Sequence, residues 1–201
     1  MRTVFVDVDT QLDFIVPAGA LYAPGAETIV PKLRELTQLA ARSGSLILST
    51  VDAHSEDDPE FQTWKPHCVA GTTGQQKLGI TLRDKRYTVT TASDSFDEAA
   101  AREAQQIIVE KQNVDCFTNP NFSPLLRFIG AARFLIYGVV TEVCVLHAAR
   151  GLLKAGYAVE LVEDAIWPFS AEAGQKAMAE LAASGAARTA TDRITAAMRS
   201  C

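Results

Sequence analysis

The chain reads as an α/β fold: a doubly wound, Rossmann-like three-layer sandwich with a mainly parallel sheet flanked by helices. Short, β-branched and nearly continuous apolar runs recur along it, as expected of strands buried on both faces of a parallel sheet. Helical patterns lie between these runs, and alternation of the two is how such sheets are built. At 201 residues, with 48% apolar and 21% charged side chains, the sequence suits one domain, 1–201, with a substantial core.

The first apolar run, Thr3–Val8, leads directly to Asp9. A helical pattern over Glu27–Arg42 stops at Ser43-Gly44, a C-terminal stop signal. The second run, Ser45–Val51, ends at Asp52. Gly71–Ser95, rich in Gly, Thr and Lys, is expected to be a long excursion on the ligand side, with Tyr87–Thr91 as an extra short strand. Gln106–Glu110 ends at Lys111, and Arg133–Val139 gives way to a helix over Glu142–Ala155. Ala158–Val162 follows, then two Ala-rich segments of good helix propensity, Ala171–Ala183 and Asp192–Arg199.

The formal charge of −5 is mild, its acidic residues are scattered, and no Lys/Arg run appears. Neither a nucleic-acid partner nor a membrane surface is expected. No apolar stretch is long enough to span a bilayer. Met1–Phe5 runs into Asp7 and Asp9 rather than into the apolar core of a signal peptide, so a cytoplasmic location is expected. Cys68, Cys116, Cys144 and Cys201 lack the spacing of a secreted disulfide scaffold, and Cys201 reads as an exposed thiol.

Ligands of open parallel sheets sit beyond the carboxyl ends of the strands. The polar residues there are Asp9, Asp52, Lys111 and the turn Thr141–Cys144. Thr141 is a natural N-cap, which puts Cys144 in the first helical turn. The positive helix end favours thiolate over thiol, and its free N–H groups could hold an oxyanion. A buried structural thiol is the competing reading, and the commoner fate of a lone cysteine. A thiol attacking an amide needs a base, and a carboxylate such as Asp9 serves if burial raises its pKa. Lys111 could hold that carboxylate in place.

Asp52 and His54 share a strand face, because strand periodicity is two. With His67, and Glu60 as a further oxygen ligand, they form a mixed N/O set suited to a divalent Zn, Mn or Fe ion. His147, on the Cys144 helix, reads as a packing residue before a catalytic base.

Four blocks carry a resemblance: Asp9-Thr-Gln-Leu-Asp-Phe14; Asp52-Ala-His54 through Pro66-His-Cys-Val-Ala-Gly-Thr72; Lys111 with Phe117 following; and Gly138-Val-Val-Thr-Glu-Val-Cys-Val145. In this order they resemble the isochorismatase-like cysteine hydrolases, and within them the nicotinamidases. The resemblance implies a triad of Asp9, Lys111 and Cys144. It implies a cis peptide between Val139 and Val140, and an oxyanion hole formed by the N–H groups of Val140 and Cys144. It further implies that Asp52, His54, Glu60 and His67 hold one divalent metal, zinc first with Mn or Fe as alternatives. That metal would bind a pyridine nitrogen, with Phe14 and Trp64 clamping the ring. The implied partner is a small-molecule amide, the implied role pyridine nucleotide salvage, and a homo-oligomer is left open. Glu60, Lys65, Val114, Asp115-Cys116 and Glu142 depart from the family's commoner residues. The alternatives are a carbamoyl- or maleamate-type amidase on the same scaffold, and a non-catalytic binding relative.

Overall fold

The computed structural model describes residues 2–199, so the expectation for Cys201 lies outside the described residues. The strands are β1 (Thr3–Val8), β2 (Ile47–Asp52), β3 (Arg86–Val89), β4 (Gln106–Lys111), β5 (Arg133–Val139), β6 (Ala158–Trp167) and β7 (Ala187–Thr189). They form one seven-stranded sheet ordered β3-β4-β2-β1-β5-β6-β7. Every neighbouring pair is parallel, so the expected mainly parallel sheet is wholly so. The helices are α1 (Leu12–Ile15), α2 (Val30–Ser43), α3 (Glu98–Glu103), α4 (Phe122–Ile129), α5 (Leu146–Lys154), α6 (Ala171–Ala183) and α7 (Thr191–Arg199). Helices flank the sheet in the three-layer arrangement that the alternation predicts. Among the described residues no helix is long and apolar enough to cross a membrane.

The central strands earn their continuous apolar sequences by burial on both faces. Every residue of β2 is buried, as is all of β1 after Thr3. Phe5, Ile47, Leu48, Ile107 and Phe134 are fully enclosed, with Leu33 and Leu36 of α2 packed among them. Helix α2 begins three residues later than expected, because Ala26–Ile29 forms a 3-10 turn and Pro31 fits only a first helical turn. It ends, as expected, on Gly44 in the left-handed region at φ 64°.

Several elements differ from expectation. Strand β6 runs on to Trp167 instead of ending at Val162, slipping register against β5 between Ile136 and Gly138. Helices α3 and α4 and strand β7 lie outside the expected elements, although α4 buries Phe122, Leu125, Leu126 and Ile129 at helical spacing. They are six, eight and three residues long, respectively. Helix α3 is set by its Asp97 cap, which accepts from the N–H groups of Ala99 and Ala100.

The Gly71–Ser95 excursion docks its first half on the segment that follows β1, then supplies β3 at the sheet edge. Leu12 N–H donates to the Gln76 carbonyl (2.8 Å) and Leu78 N–H to that of Thr10 (2.9 Å). At Gly74 a Cβ would come within 2.2 Å of the Asp13 carboxylate, so only glycine permits this approach. Lys77 is buried, with its ammonium 3.0 Å from an Asp7 carboxylate oxygen and donating to Thr10 Oγ1 at 2.8 Å.

Candidate active site

Four strands deliver chemistry to one edge of the sheet. Asp9 follows β1 in a left-handed conformation, φ 49°, and its Oδ1 accepts from Thr50 Oγ1 at 2.6 Å. Asp52 and Lys111 close β2 and β4 as direct cross-strand partners. Asp52 is fixed by Gln11, whose Oε1 accepts from the Asp52 N–H (2.7 Å) while its Nε2 donates to the Asp52 carbonyl (2.8 Å). The same Nε2 donates to the Gln75 carbonyl, which ties the excursion to the site.

Cys144 follows β5. At Gly138 (φ 117°) a Cβ would lie 2.1 Å from the Val8 carbonyl oxygen, so the absence of a side chain lets β5 approach β1 where the strand turns out. The Val139–Val140 peptide is cis, as the resemblance implied. Thr141 is not the N-cap. Val140 holds that position, and Thr141–Val145 forms one π-helical turn before α5. Val140 O accepts from the N–H groups of Val143 and Val145 (3.1 Å each), which closes that turn.

Lys111 joins these groups. Its ammonium is 3.0 Å from Asp9 Oδ2, donates to the Cys144 sulfur at 3.6 Å, and forms a third, shorter contact with Asp52 Oδ1. All four side chains are buried, Cys144 being the most exposed at 7%. Burial pushes the Asp9 carboxyl up, against the pull of Lys111. Lys111 itself is held well above the usual ammonium value: burial opposes its charge, but Asp52 and Asp9 outweigh it. Burial would raise Asp52 too, yet Lys111, His54 and His67 hold it far below the usual carboxylate range. The Cys144 thiol, expected to be acidified, is instead pushed well up. Burial outweighs Lys111, and Asp9 and Asp52 disfavour a third negative charge.

Beside this cluster the expected ligand set converges. His67 Nε2 and His54 Nε2 lie 3.5 and 3.8 Å from Asp52 Oδ2, and Glu60 Oε2 is 3.4 Å from His54 Nε2. His67 Nδ1 faces the Lys65 carbonyl at 2.7 Å, which turns its other nitrogen inward. Among the described residues neither ring nitrogen of the buried His54 has a hydrogen-bond partner, and Nε2 faces a nest of oxygen and nitrogen ligands. This set fits a divalent cation. Asp58, which the sequence reading passes over, stands behind it: Oδ2 is 3.0 Å from His54 Nδ1, and Oδ1 accepts from the Glu60 N–H at 2.9 Å.

Phe14, Trp64, Val114, Val140 and Cys144 wall a single cavity, joined by Phe169, also unforeseen. Trp64 stacks on Phe169 with centroids 5.8 Å apart. His147 is half-buried on α5 and does not line this cavity; Cys116 is fully buried and does not line it either.

A wholly parallel sheet flanked by helices, with a thiol, an ammonium and carboxylates at its carboxyl edge, is the architecture of an isochorismatase-like hydrolase. The chain belongs to the isochorismatase family, whose domain model matches residues 3–193. The uncharacterized isochorismatase family protein PncA of Bacillus subtilis is 25% identical over 195 residues, covering 94% of this chain and all of that one. The maleamate amidohydrolase of Pseudomonas putida is 24% identical, covering 79% of this chain and 69% of its own length. Among solved structures, the pyrazinamidase of Pyrococcus horikoshii in complex with zinc superposes with a TM-score of 0.80 at 28% identity, covering 94% of this chain and 99% of that one.

Proposed function

We propose that this hydrolase cleaves nicotinamide to nicotinate and ammonia through a thioester on Cys144. The observation that carries the reading is the position of Lys111 Nζ, 3.0 Å from Asp9 and 3.6 Å from Cys144, and in contact with the Asp52 that also heads the ligand set. Thiol, base and cation site thus share one buried wall.

Asp9 takes the proton from Cys144 as the sulfur attacks the amide carbon, so a separate thiolate need not accumulate. Its raised pKa suits it to accept that proton. The developing oxyanion is held by the N–H groups of Val140 and Cys144. Protonated Asp9 then gives its proton to the leaving nitrogen, the carbon–nitrogen bond breaks, and ammonia departs. Water, deprotonated by Asp9, opens the thioester and restores the thiol. Lys111 keeps Asp9 oriented throughout and balances its charge.

Asp52, His54, Glu60 and His67 would hold one divalent ion, and zinc is supported by the zinc complex of the similar pyrazinamidase. When bound, such an ion supplies a Lewis acid for a ring nitrogen. Phe14 and Trp64 flank the space beside it.

The similarity to a maleamate amidohydrolase favours a second reading, hydrolysis of a small aliphatic amide by the same thiol. Ammonia release from nicotinamide and from maleamate, before and after a strong chelator, separates the two. Chelator-sensitive release from nicotinamide is expected. Release from maleamate alone would replace the first reading with the second.

A further inference from the structure

The cavity above Cys144 is small. Its volume is about 20 Å³, the room of roughly one water molecule. An apolar cavity that accepts a six-membered ring measures on the order of 150 Å³. A ring-bearing amide therefore requires one wall to move.

The aromatic walls are not equally free. Phe14 is 3% exposed, sits on α1 and meets His67 edge-on at 5.3 Å, so it is backed by the core and by the ligand set. Trp64 rests on Phe169. Behind Phe169 lies a solvent-open groove of about 660 Å³, lined by Ile166, Trp167, Pro168 and Met178 and by the exposed Glu163 and Arg188. Among the described residues Phe169 is the one side chain that lines both the cavity and the groove. Its backbone is pinned. The next residue, Ser170, donates its N–H to Glu142 Oε1 at 2.9 Å and caps α6 through its hydroxyl. Glu142 belongs to the turn that carries Cys144. Movement here therefore means rotation of the Phe169 ring and not displacement of the loop.

We infer that Phe169 is a specificity-determining partition between the cavity and its open annex, the groove: its ring turns from Trp64 into the annex to admit a planar single-ring amide, and its bulk denies the annex to anything larger. The inference deepens the nicotinamide reading and rests on it for the identity of the ring.

The test compares kcat/KM for nicotinamide with that for two larger amides, quinoline-3-carboxamide and 5-phenylnicotinamide, on metal-loaded protein. Phe169→Ala, with Phe169→Leu as the milder variant should the first fold poorly, is expected to raise the large-to-small ratio at least tenfold for one of the pair. Adding Met178→Trp to Phe169→Ala narrows the annex next to the vacated ring and should lower the ratio again. An unchanged ratio for both amides in Phe169→Ala and Phe169→Leu would overturn the partition. Calorimetric binding of the matching carboxylates provides the same comparison without turnover. A wild type that releases no ammonia from nicotinamide fails the functional reading, while a shifted binding ratio in the variants still upholds the partition.

Discussion

Asp58 stands directly behind His54, its Oδ2 3.0 Å from the imidazole Nδ1, while its other oxygen accepts from the Glu60 N–H. One carboxylate thus engages two candidate ligands, meeting His54 at the ring nitrogen that faces away from Asp52. Such outer partners fix the ring tautomer and are typically worth roughly 10- to 100-fold in metal affinity. Asp58→Ala should therefore weaken zinc binding by about that factor while excess zinc restores most of the turnover. Equilibrium metal titration checks it, and unchanged affinity would leave Asp58 as a turn-forming residue only.

Cys144→Ala should abolish ammonia release and leave metal content at the wild-type level, because the sulfur reaches Lys111 while Asp52, His54 and His67 form a ligand group without it. Asp9→Asn should lower kcat by roughly 100- to 10,000-fold, the usual worth of a positioned acid–base group. Steady-state kinetics beside elemental analysis reads both. Turnover surviving in Cys144→Ala would remove the thioester from the mechanism.

The metal-free protein should react slowly with iodoacetamide at Cys144. A thiol pushed above its ordinary value by burial has less thiolate at pH 7 than free cysteine, whose pKa is about 8.5. The rate should climb with pH through the alkaline range. Lys111→Met removes the one nearby charge that favours thiolate, so it should slow the reaction further. Mass spectrometry of the alkylated peptide, with Cys68 and Cys116 as buried internal controls, measures it. A rate at neutral pH equal to that of free cysteine would contradict the assignment.

Lys77→Met should destabilise the fold by about 3–5 kcal/mol, because it strands the Asp7 carboxylate without its cation in the core. Restoring neutrality with Asp7→Asn in the same chain should recover a large part of that loss. Denaturant unfolding of the three proteins decides, and additive effects would show that the two side chains are not coupled.

Much of this site could be read from the sequence because each residue ends an apolar run. Asp9, Asp52, Lys111 and the turn to Cys144 are conspicuous as polar groups at the ends of strands buried on both faces, and parallel strands bring such ends together. The pairing of Asp52 with His54 follows from period two. Phe169 could not be found that way. Strand β6 runs on to Trp167, past the Val162 where its apolar run stops, and the contact that defines Phe169 comes from Trp64, far away along the chain. Asp58 lies within Glu56-Asp57-Asp58, indistinguishable by sequence from a solvated acidic turn. The thiol's protonation went the other way from expectation because helix position is local, whereas burial beside Asp9 and Asp52 is a property of the assembled sheet.

The central place of β1 has a consequence for how the protein is made. Its two neighbours are β2, which follows soon after in the chain, and β5, whose pairing runs from Thr3–Arg133 to Val8–Gly138. A chain emerging from the ribosome therefore carries its middle strand with one edge bare until residue 133 and beyond have been synthesised. Over that interval β1 presents unpaired N–H and C=O groups along its bare edge, between faces of apolar side chains, and such edges draw strands from other chains. Truncations ahead of β5 should accordingly yield insoluble protein and not a weakened enzyme. The strand that brings the nucleophile is also the one that closes the open side of β1.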